Sequence, residues 1–301
     1  MMTVVYVAGD GRSGSTLLEG MLAAETGAVA VGEIRMWLAA GFRWGSRCGC
    51  GEPFTECPFW KSVVDEALPD SDEARRAALE QAGRSLISNK RTRLLSKGRA
   101  AWSDEQRALG DVHRDLYRAV IAQSGAPLII DSSKTPAYAF FLAAHPEIDL
   151  RVIHLVRDSR AVVHSWTRDK EWKAAAVDGE SRKMRQLTTS QSARQWLVQN
   201  AFCDVLTGRV DHAARVRYED LVADPVGVVS DTLRAIGVDA ADGPLGMTDH
   251  GFLGNPMRFD ERAPQVVLDD EWRREMPASS RRLSTILTLP LLLRHGYALR
   301  S

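Results

Sequence analysis

The chain has no excess of charge of either sign. Its 39 basic and 39 acidic residues cancel, so no global field draws it onto nucleic acid or anionic lipid, and any anion site must be local. Lysine is scarce: seven of the basic residues are Lys and 32 are Arg, the side chain suited to forked contacts with phosphate and sulfate. Cysteine is limited to four residues, with Cys48, Cys50 and Cys57 clustered and Cys203 remote. In a reducing compartment that pattern is no disulfide framework. Long apolar runs are missing as well. The opening MMTVVYVAGD has no basic leader, and the late TILTLPLLL is short and holds Pro290. Neither reads as a signal peptide or a spanning helix, so a cytoplasmic protein without stable membrane insertion is expected. What is present is an ordinary globular composition, 45% hydrophobic and 26% charged over 301 residues. That excludes disordered and collagen-like classes and leaves room for a large core.

The periodicity predicts an α/β fold. Residues 3–8 (TVVYVA) form a β-branched and aromatic run that meets a glycine-rich turn, and residues 15–24 then take helical spacing. A second short strand at 28–31 leads into Gly32 and Glu33, which places Glu33 at the carboxyl edge where ligands of open parallel sheets bind. From about 35 to 125 the alternation lapses into long Ala, Arg, Glu and Leu-rich stretches, read as a mostly helical insertion. Alternation resumes with strands at 127–131, 150–156 and 214–218 and helices at 136–144, 159–168 and 226–236. A polar helical segment at about 178–206 interrupts it, and a loop-rich tail with one or two helices ends it. The expected architecture is a single domain over 1–301, a P-loop-like central parallel sheet flanked by helices.

Residues 9–16 read GDGRSGST. The spacing of Gly9, Gly14 and Thr16 fits the first part of a phosphate loop, but Ser15 stands where such a loop places its lysine, and Arg12 is the loop's only cation. The backbone N–H groups and the following helix still suit an anion. The bland alternative is a tight strand-to-helix turn. In VRDSRAVVHSWTR, Arg157 sits at a strand end and Ser165 two turns into the next helix, so both can face one ligand edge. The bland reading of RDxR is a salt bridge at a helix start.

These segments together resemble sulfotransferases that use 3′-phosphoadenosine 5′-phosphosulfate (PAPS), in particular a bacterial branch related to the Golgi-type and tyrosylprotein enzymes. The likeness runs in consistent order from Val4 to Phe259 and does not cover the helical insertion. It implies that Arg12, Ser13, Gly14, Ser15 and Thr16 hold the 5′-phosphosulfate end and that Arg157 and Ser165 hold the 3′-phosphate. Tyr218 in VRYEDL would pack near the adenine or touch the 3′-phosphate, and Arg258 in GNPMRF would be a second 3′-phosphate ligand. Lys134 in IIDSSK would present its ammonium beside the cleft, where with Arg12 it neutralises charge growing in transfer. Glu33 in GEIR would be the base that takes the acceptor proton. The product would be adenosine 3′,5′-bisphosphate, no metal is required, and the acceptor would be a hydroxyl of a small molecule, sugar or glycoconjugate. A helix-start role stabilised by the dipole is the plain alternative for Glu33. His113, His154, His164 and above all His250 are rival bases.

Two other readings stay in view. One is a nucleotide kinase or NTPase with Asp131 as a metal ligand, against which Ser15 counts; the other is a non-catalytic nucleotide-binding module. The arginines at 75, 76, 84, 91, 93 and 99 are expected on solvated helix faces rather than in an anionic acceptor site. The cysteine spacing C-x-C-x6-C supplies three ligands where a structural zinc site needs four, so the expectation is a glycine-bent lid stapled by Phe54, Phe59 and Trp60.

Overall fold

A computed structural model describes residues 1–168, 171–172, 182–183, 185–241, 250–253 and 266–299. Five strands, β1 (Met2–Gly9), β2 (Val29–Gly32), β3 (Ile129–Lys134), β4 (Ile148–Val156) and β7 (Ala213–Arg217), form one parallel sheet in the order β2-β3-β1-β4-β7. Two short strands, β5 (Glu171–Trp172) and β6 (Arg182–Lys183), pair antiparallel outside it. The β1 strand is central because it is buried on both faces: Val4, Tyr6 and Ala8 point into one core layer, Val5 and Val7 into the other.

The second layer is closed by α1 (Ser15–Thr26), α9 (Tyr218–Ala223) and α10 (Pro225–Ala235). On the first lie α2 (Pro58–Ala67), α4 (Thr92–Leu95), α5 (Asp104–Ser124), α6 (Pro136–Ala143) and α8 (Thr189–Thr207). Between β2 and β3 the elements are helical, with α3 (Glu73–Leu86) and a π-helical turn over Leu38–Arg43 beside the helices already named. The α5 helix starts on a capping box, Ser103 and Gln106 each satisfying the other's backbone N–H, and ends on left-handed Gly125. Helices α7 (Ser159–Thr167), α11 (Trp272–Glu275) and α12 (Ala278–Arg294) pack with α8 beyond β4.

Two boundaries differ from the sequence reading with consequences for the site. The β3 strand runs on through Ser132, Ser133 and Lys134 rather than stopping at Asp131, because Ser132 Oγ and Ser133 N–H find buried carboxylate partners in Glu19 and Asp131. The β7 strand ends at Arg217, so Tyr218 opens α9. No helix among the described residues is long and apolar enough to cross a membrane.

Candidate functional site

Each of the five parallel strands delivers one of the residues singled out in the sequence to the carboxyl edge. The β1 strand gives the glycine loop, β2 gives Glu33, β3 gives Lys134, β4 gives Arg157 and β7 gives Tyr218. The register places Ala8 beside Lys134 and Gly9 beside Leu155, so the loop stands between the two sides of the edge.

The loop backbone is bent against the usual preference of L-residues. Arg12 takes φ 67° and Gly14, which caps α1, takes φ 90°, conformations that cluster where a backbone must approach a ligand. A Cβ on Gly14 would lie 2.5 Å from the Tyr218 ring, and one on Gly11 2.6 Å from Trp166, so two aromatic rings lie directly on the loop. The first N–H groups of α1 have no intrahelical carbonyl to meet. Ser13 Oγ is buried without a hydrogen-bond partner among the described residues. An anion with several acceptor oxygens satisfies that donor set. Ser15 is buried, while Thr16 is half-buried.

On the β2–β3 side, Lys134 Nζ donates to Glu33 Oε1 at 2.6 Å, with both side chains partly open to solvent. Lys134 is itself left-handed at φ 65°, and the Thr135 N–H reaches back to the Ser133 carbonyl at 2.7 Å, a strained γ-turn that aims the ammonium. Tyr6 holds the turn in place by donating to the Thr135 carbonyl at 2.9 Å. Glu33 charge also acts on Arg12, opposing the burial that pulls the guanidinium below its ordinary value.

Several contributors escaped the sequence reading. Glu19 on α1 is buried and its two carboxylate oxygens take the Gly32 N–H at 2.8 Å and the Ser132 hydroxyl at 2.7 Å, tying the ends of β2 and β3 together. Asp10, wholly buried in the loop, accepts from Gln195 at 2.8 Å and from the Gly11 N–H at 2.9 Å; burial pushes its pKa up to about 7. Trp166 lies under the Arg12 guanidinium at 4.9 Å. Phe252 accepts the Glu33 N–H through its carbonyl at 3.2 Å.

On the β4–β7 side Arg157 is buried. Its Nη1 donates to the Arg12 carbonyl at 3.0 Å and its Nη2 to the Asp269 carbonyl at 2.8 Å, with Asp269 Oδ2 3.0 Å away. The guanidinium lies 4.5 Å from the Tyr218 ring centroid, and its Nε has no hydrogen-bond partner among the described residues. The helix-start bridge exists too, but between Asp158 and Arg160, so Arg157 remains directed at the loop. Ser165 is buried in α7, eight residues on. Arg258 lies outside the described residues.

The rival candidates fall elsewhere. His113 is a core group hydrogen-bonded to Tyr138 at 2.8 Å, and burial lowers its pKa to about 3; His154 is enclosed against Asn200; His164 stands 3.5 Å from Glu275. His250 stacks on Phe59 at 4.4 Å with Nδ1 3.5 Å from both Cys48 Sγ and Cys57 Sγ, which takes its ring to the cysteines and not to Glu33. Asp131 accepts from Tyr117 at 2.5 Å and from the Ser133 N–H at 2.7 Å inside the core; burial raises its pKa to about 7, a poor setting for a nucleotide metal. Among the insertion arginines, Arg76 donates to Ser71 and lies over Phe42, Arg84 pairs with Glu80, and Arg99 pairs with Asp111. A cleft of about 600 Å³ lined by Phe42, Phe54, Trp60 and Arg76, among others, includes none of the strand-end residues.

The profile of the Sulfotransferase family matches residues 5–242. Three solved structures are similar. The sulfotransferase domain of the Synechococcus PCC 7002 olefin synthase is 21% identical, with 96% of this chain and 94% of that chain covered and a TM-score of 0.49. The sulfotransferase domain from the curacin biosynthetic pathway is 15% identical, with 99% of each chain covered and a TM-score of 0.49. Sulfotransferase STF9 from Mycobacterium avium is 12% identical, with 100% of this chain and 78% of that chain covered; its TM-score of 0.51 reflects a shared fold. Comparison with curated proteins finds no match. The profile match begins in β1, takes in all five strands of the sheet with the loop and strand-end residues, and runs past α10: the chain belongs to the sulfotransferase family.

Proposed function

We propose that this protein transfers the sulfuryl group of PAPS to a hydroxyl of a small molecule, sugar or glycoconjugate, acting as a single unit with residues of about 35–125 as its helical insertion. The observation that carries this reading is the 2.6 Å Glu33–Lys134 pair standing beside a phosphate loop that has no lysine of its own.

The backbone N–H groups of Ser13, Gly14, Ser15 and Thr16, with the Ser13 hydroxyl, hold the 5′-phosphate. Arg157, Ser165 and Arg258 hold the 3′-phosphate, with Tyr218 fixing the guanidinium of Arg157 from its open face. Arg12 and Lys134 neutralise the charge that grows on the bridging and sulfuryl oxygens. Glu33 Oε1 is engaged by Lys134, which orients the carboxylate so that Oε2 can meet the acceptor hydroxyl. Glu33 takes the hydroxyl proton as the new S–O bond forms and the bond from sulfur to the 5′-phosphate oxygen breaks. The products are the sulfate ester, adenosine 3′,5′-bisphosphate and one proton.

Incubation with sulfur-labelled PAPS and a panel of phenolic, sugar, lipid and peptide hydroxyls tests this. The expected result is label on at least one acceptor with matching release of adenosine 3′,5′-bisphosphate. Magnesium-dependent phosphoryl transfer from ATP with no sulfuryl transfer would contradict it.

A further inference from the structure

Three cysteines and a histidine from two distant stretches of the chain converge beside the β2 edge. Cys57 Sγ lies 3.7 Å from Cys50 Sγ, and His250 Nδ1 lies 3.5 Å from both Cys48 Sγ and Cys57 Sγ. All four ligand atoms lie within 4.8 Å of one another. A tetrahedral zinc ion with Zn–S of about 2.3 Å and Zn–N of about 2.0–2.1 Å requires S···S edges of about 3.8 Å and S···N edges of about 3.5–3.6 Å. The three separations of 3.5–3.7 Å match those edges.

We infer that Cys48, Cys50, Cys57 and His250 form a structural site for a divalent zinc ion. The sequence expectation failed on the ligand count: the missing fourth donor lies 193 residues beyond Cys57, too far for any spacing rule to find. The set is closed, with four protein donors and no open position, as in sites that fix structure rather than activate water. Binding displaces up to three thiol protons to solvent and leaves a site of net charge −1.

The local backbone is shaped for the task. The Gly51 N–H donates to the Cys48 carbonyl at 2.9 Å, and Gly51 is left-handed at φ 92°, so the chain between Cys48 and Cys50 folds into a tight knuckle. Cys57 caps α2 just before Pro58, where the positive helix end favours a thiolate. Phe59 stacks on the His250 ring, and Trp60 Nε1 donates to the His250 carbonyl at 2.8 Å, which orients the ligand from outside. The consequence reaches the transfer site through backbone: Cys48 and Gly32 both bridge to Phe252, whose carbonyl takes the Glu33 N–H. A Cβ on Gly32 would collide with that carbonyl. The ion would therefore clamp the loop 46–57 and the segment 250–253 against the strand end that carries Glu33.

This inference does not rest on the sulfuryl-transfer reading, and its test does not use transfer activity. Tag-free protein is purified without chelator, dialysed, and its metal content measured by mass spectrometry. About one zinc per chain is expected, with all four thiols titratable after denaturation without reductant. Replacement by cobalt should give the thiolate-to-metal charge-transfer and strong visible bands of a tetrahedral site. Cys50→Ser alters an exposed ligand, so the chain should still fold, and it should weaken zinc retention by at least about a hundredfold, beyond the ten- to hundredfold typical of outer-shell changes. His250→Asn is the second variant and should behave alike. Zinc that dialysis removes from wild type, two titratable thiols in place of four, or a folded Cys50→Ser protein that holds zinc as tightly as wild type would each overturn the assignment.

Discussion

The two sides of the sheet edge are built differently. At β4 and β7 the strand-end residues follow closely in sequence from their strands, and Arg157 is fixed by the Arg12 carbonyl, Asp269 and the Tyr218 ring. At β2 and β3 the working pair is small and more open, and its backbone is held by residues from elsewhere: Glu19 on α1, Tyr6 on β1 and Phe252 near the carboxyl end. Under the proposed function, the difference separates two tasks. A rigid, buried side suits recognition of one invariant nucleotide, whereas an open pair on a pinned strand end suits chemistry on an acceptor that arrives from solvent.

That division can be broken most sharply at Glu33. Glu33→Gln is expected to lower kcat by roughly a hundredfold to ten-thousandfold while donor affinity stays near wild type, the span usual for losing a general base. Steady-state kinetics with a calorimetric Kd checks it; a parallel loss of donor binding would merge the two sides. The next effect belongs to the other side. Arg157→Ala should weaken PAPS by roughly ten- to more than a hundredfold, from a charge-assisted contact of about 1.5–3 kcal/mol. It should barely change affinity for adenosine 5′-phosphosulfate, which has no 3′-phosphate. Equal losses for both ligands would mean that Arg157 serves the fold or the 5′ end.

The sequence was most legible where function and local structure share a short stretch. The loop and Arg157 follow their strands directly, so periodicity and motif spacing place them at one sheet edge. Glu33 and Lys134 were legible as strand ends, although the γ-turn that aims Lys134 leaves no composition signal. Glu19 reads as an ordinary helix Glu, since only packing reveals that its carboxylate spans two strand ends. Asp10 reads as a loop residue, and its burial follows from Gln195 arriving on α8. His250 shows the limit most plainly: its role depends on cysteines brought to it by the fold, and no local pattern records that meeting.

A smaller effect sharpens the picture of the β4–β7 side. Tyr218→Leu removes the ring that backs Arg157 and covers Gly14, a contact of about 0.5–2 kcal/mol, so donor affinity should fall by roughly two- to thirtyfold. Tyr218→Phe should stay close to wild type, because among the described residues the hydroxyl makes only a 3.4 Å contact with the Val267 carbonyl. If Phe proves as damaging as Leu, the hydroxyl and not the ring matters.

A further effect is thermal. Asp131 has an ordinary pKa of 3.8, raised to about 7 by burial. Between those values the unfolded chain has released a proton that the folded chain keeps, so the contribution of Asp131 is full below about 3.8 and is lost as pH rises to about 7. Asp131→Asn removes that term; its Oδ1 can still accept the Ser133 N–H, while its amide N–H would donate to the Tyr117 oxygen in place of accepting from it. The Tm of wild type relative to Asp131→Asn should therefore fall as pH goes from about 5 to about 8. Parallel Tm profiles would show that Asp131 ionises in the folded state as it does in the unfolded one.

The nucleotide itself provides the most direct test of the central claim, that a phosphate loop without lysine and a buried Arg157 select a 3′-phosphorylated adenosine nucleotide. Thermal unfolding is followed with adenosine 3′,5′-bisphosphate in the absence of magnesium and with ATP in its presence. The first should raise the Tm, since ligand at about a hundred times Kd adds about 2.7 kcal/mol to stability, and the second should leave it nearly unchanged. A larger, magnesium-dependent shift with ATP and none with adenosine 3′,5′-bisphosphate would contradict the account.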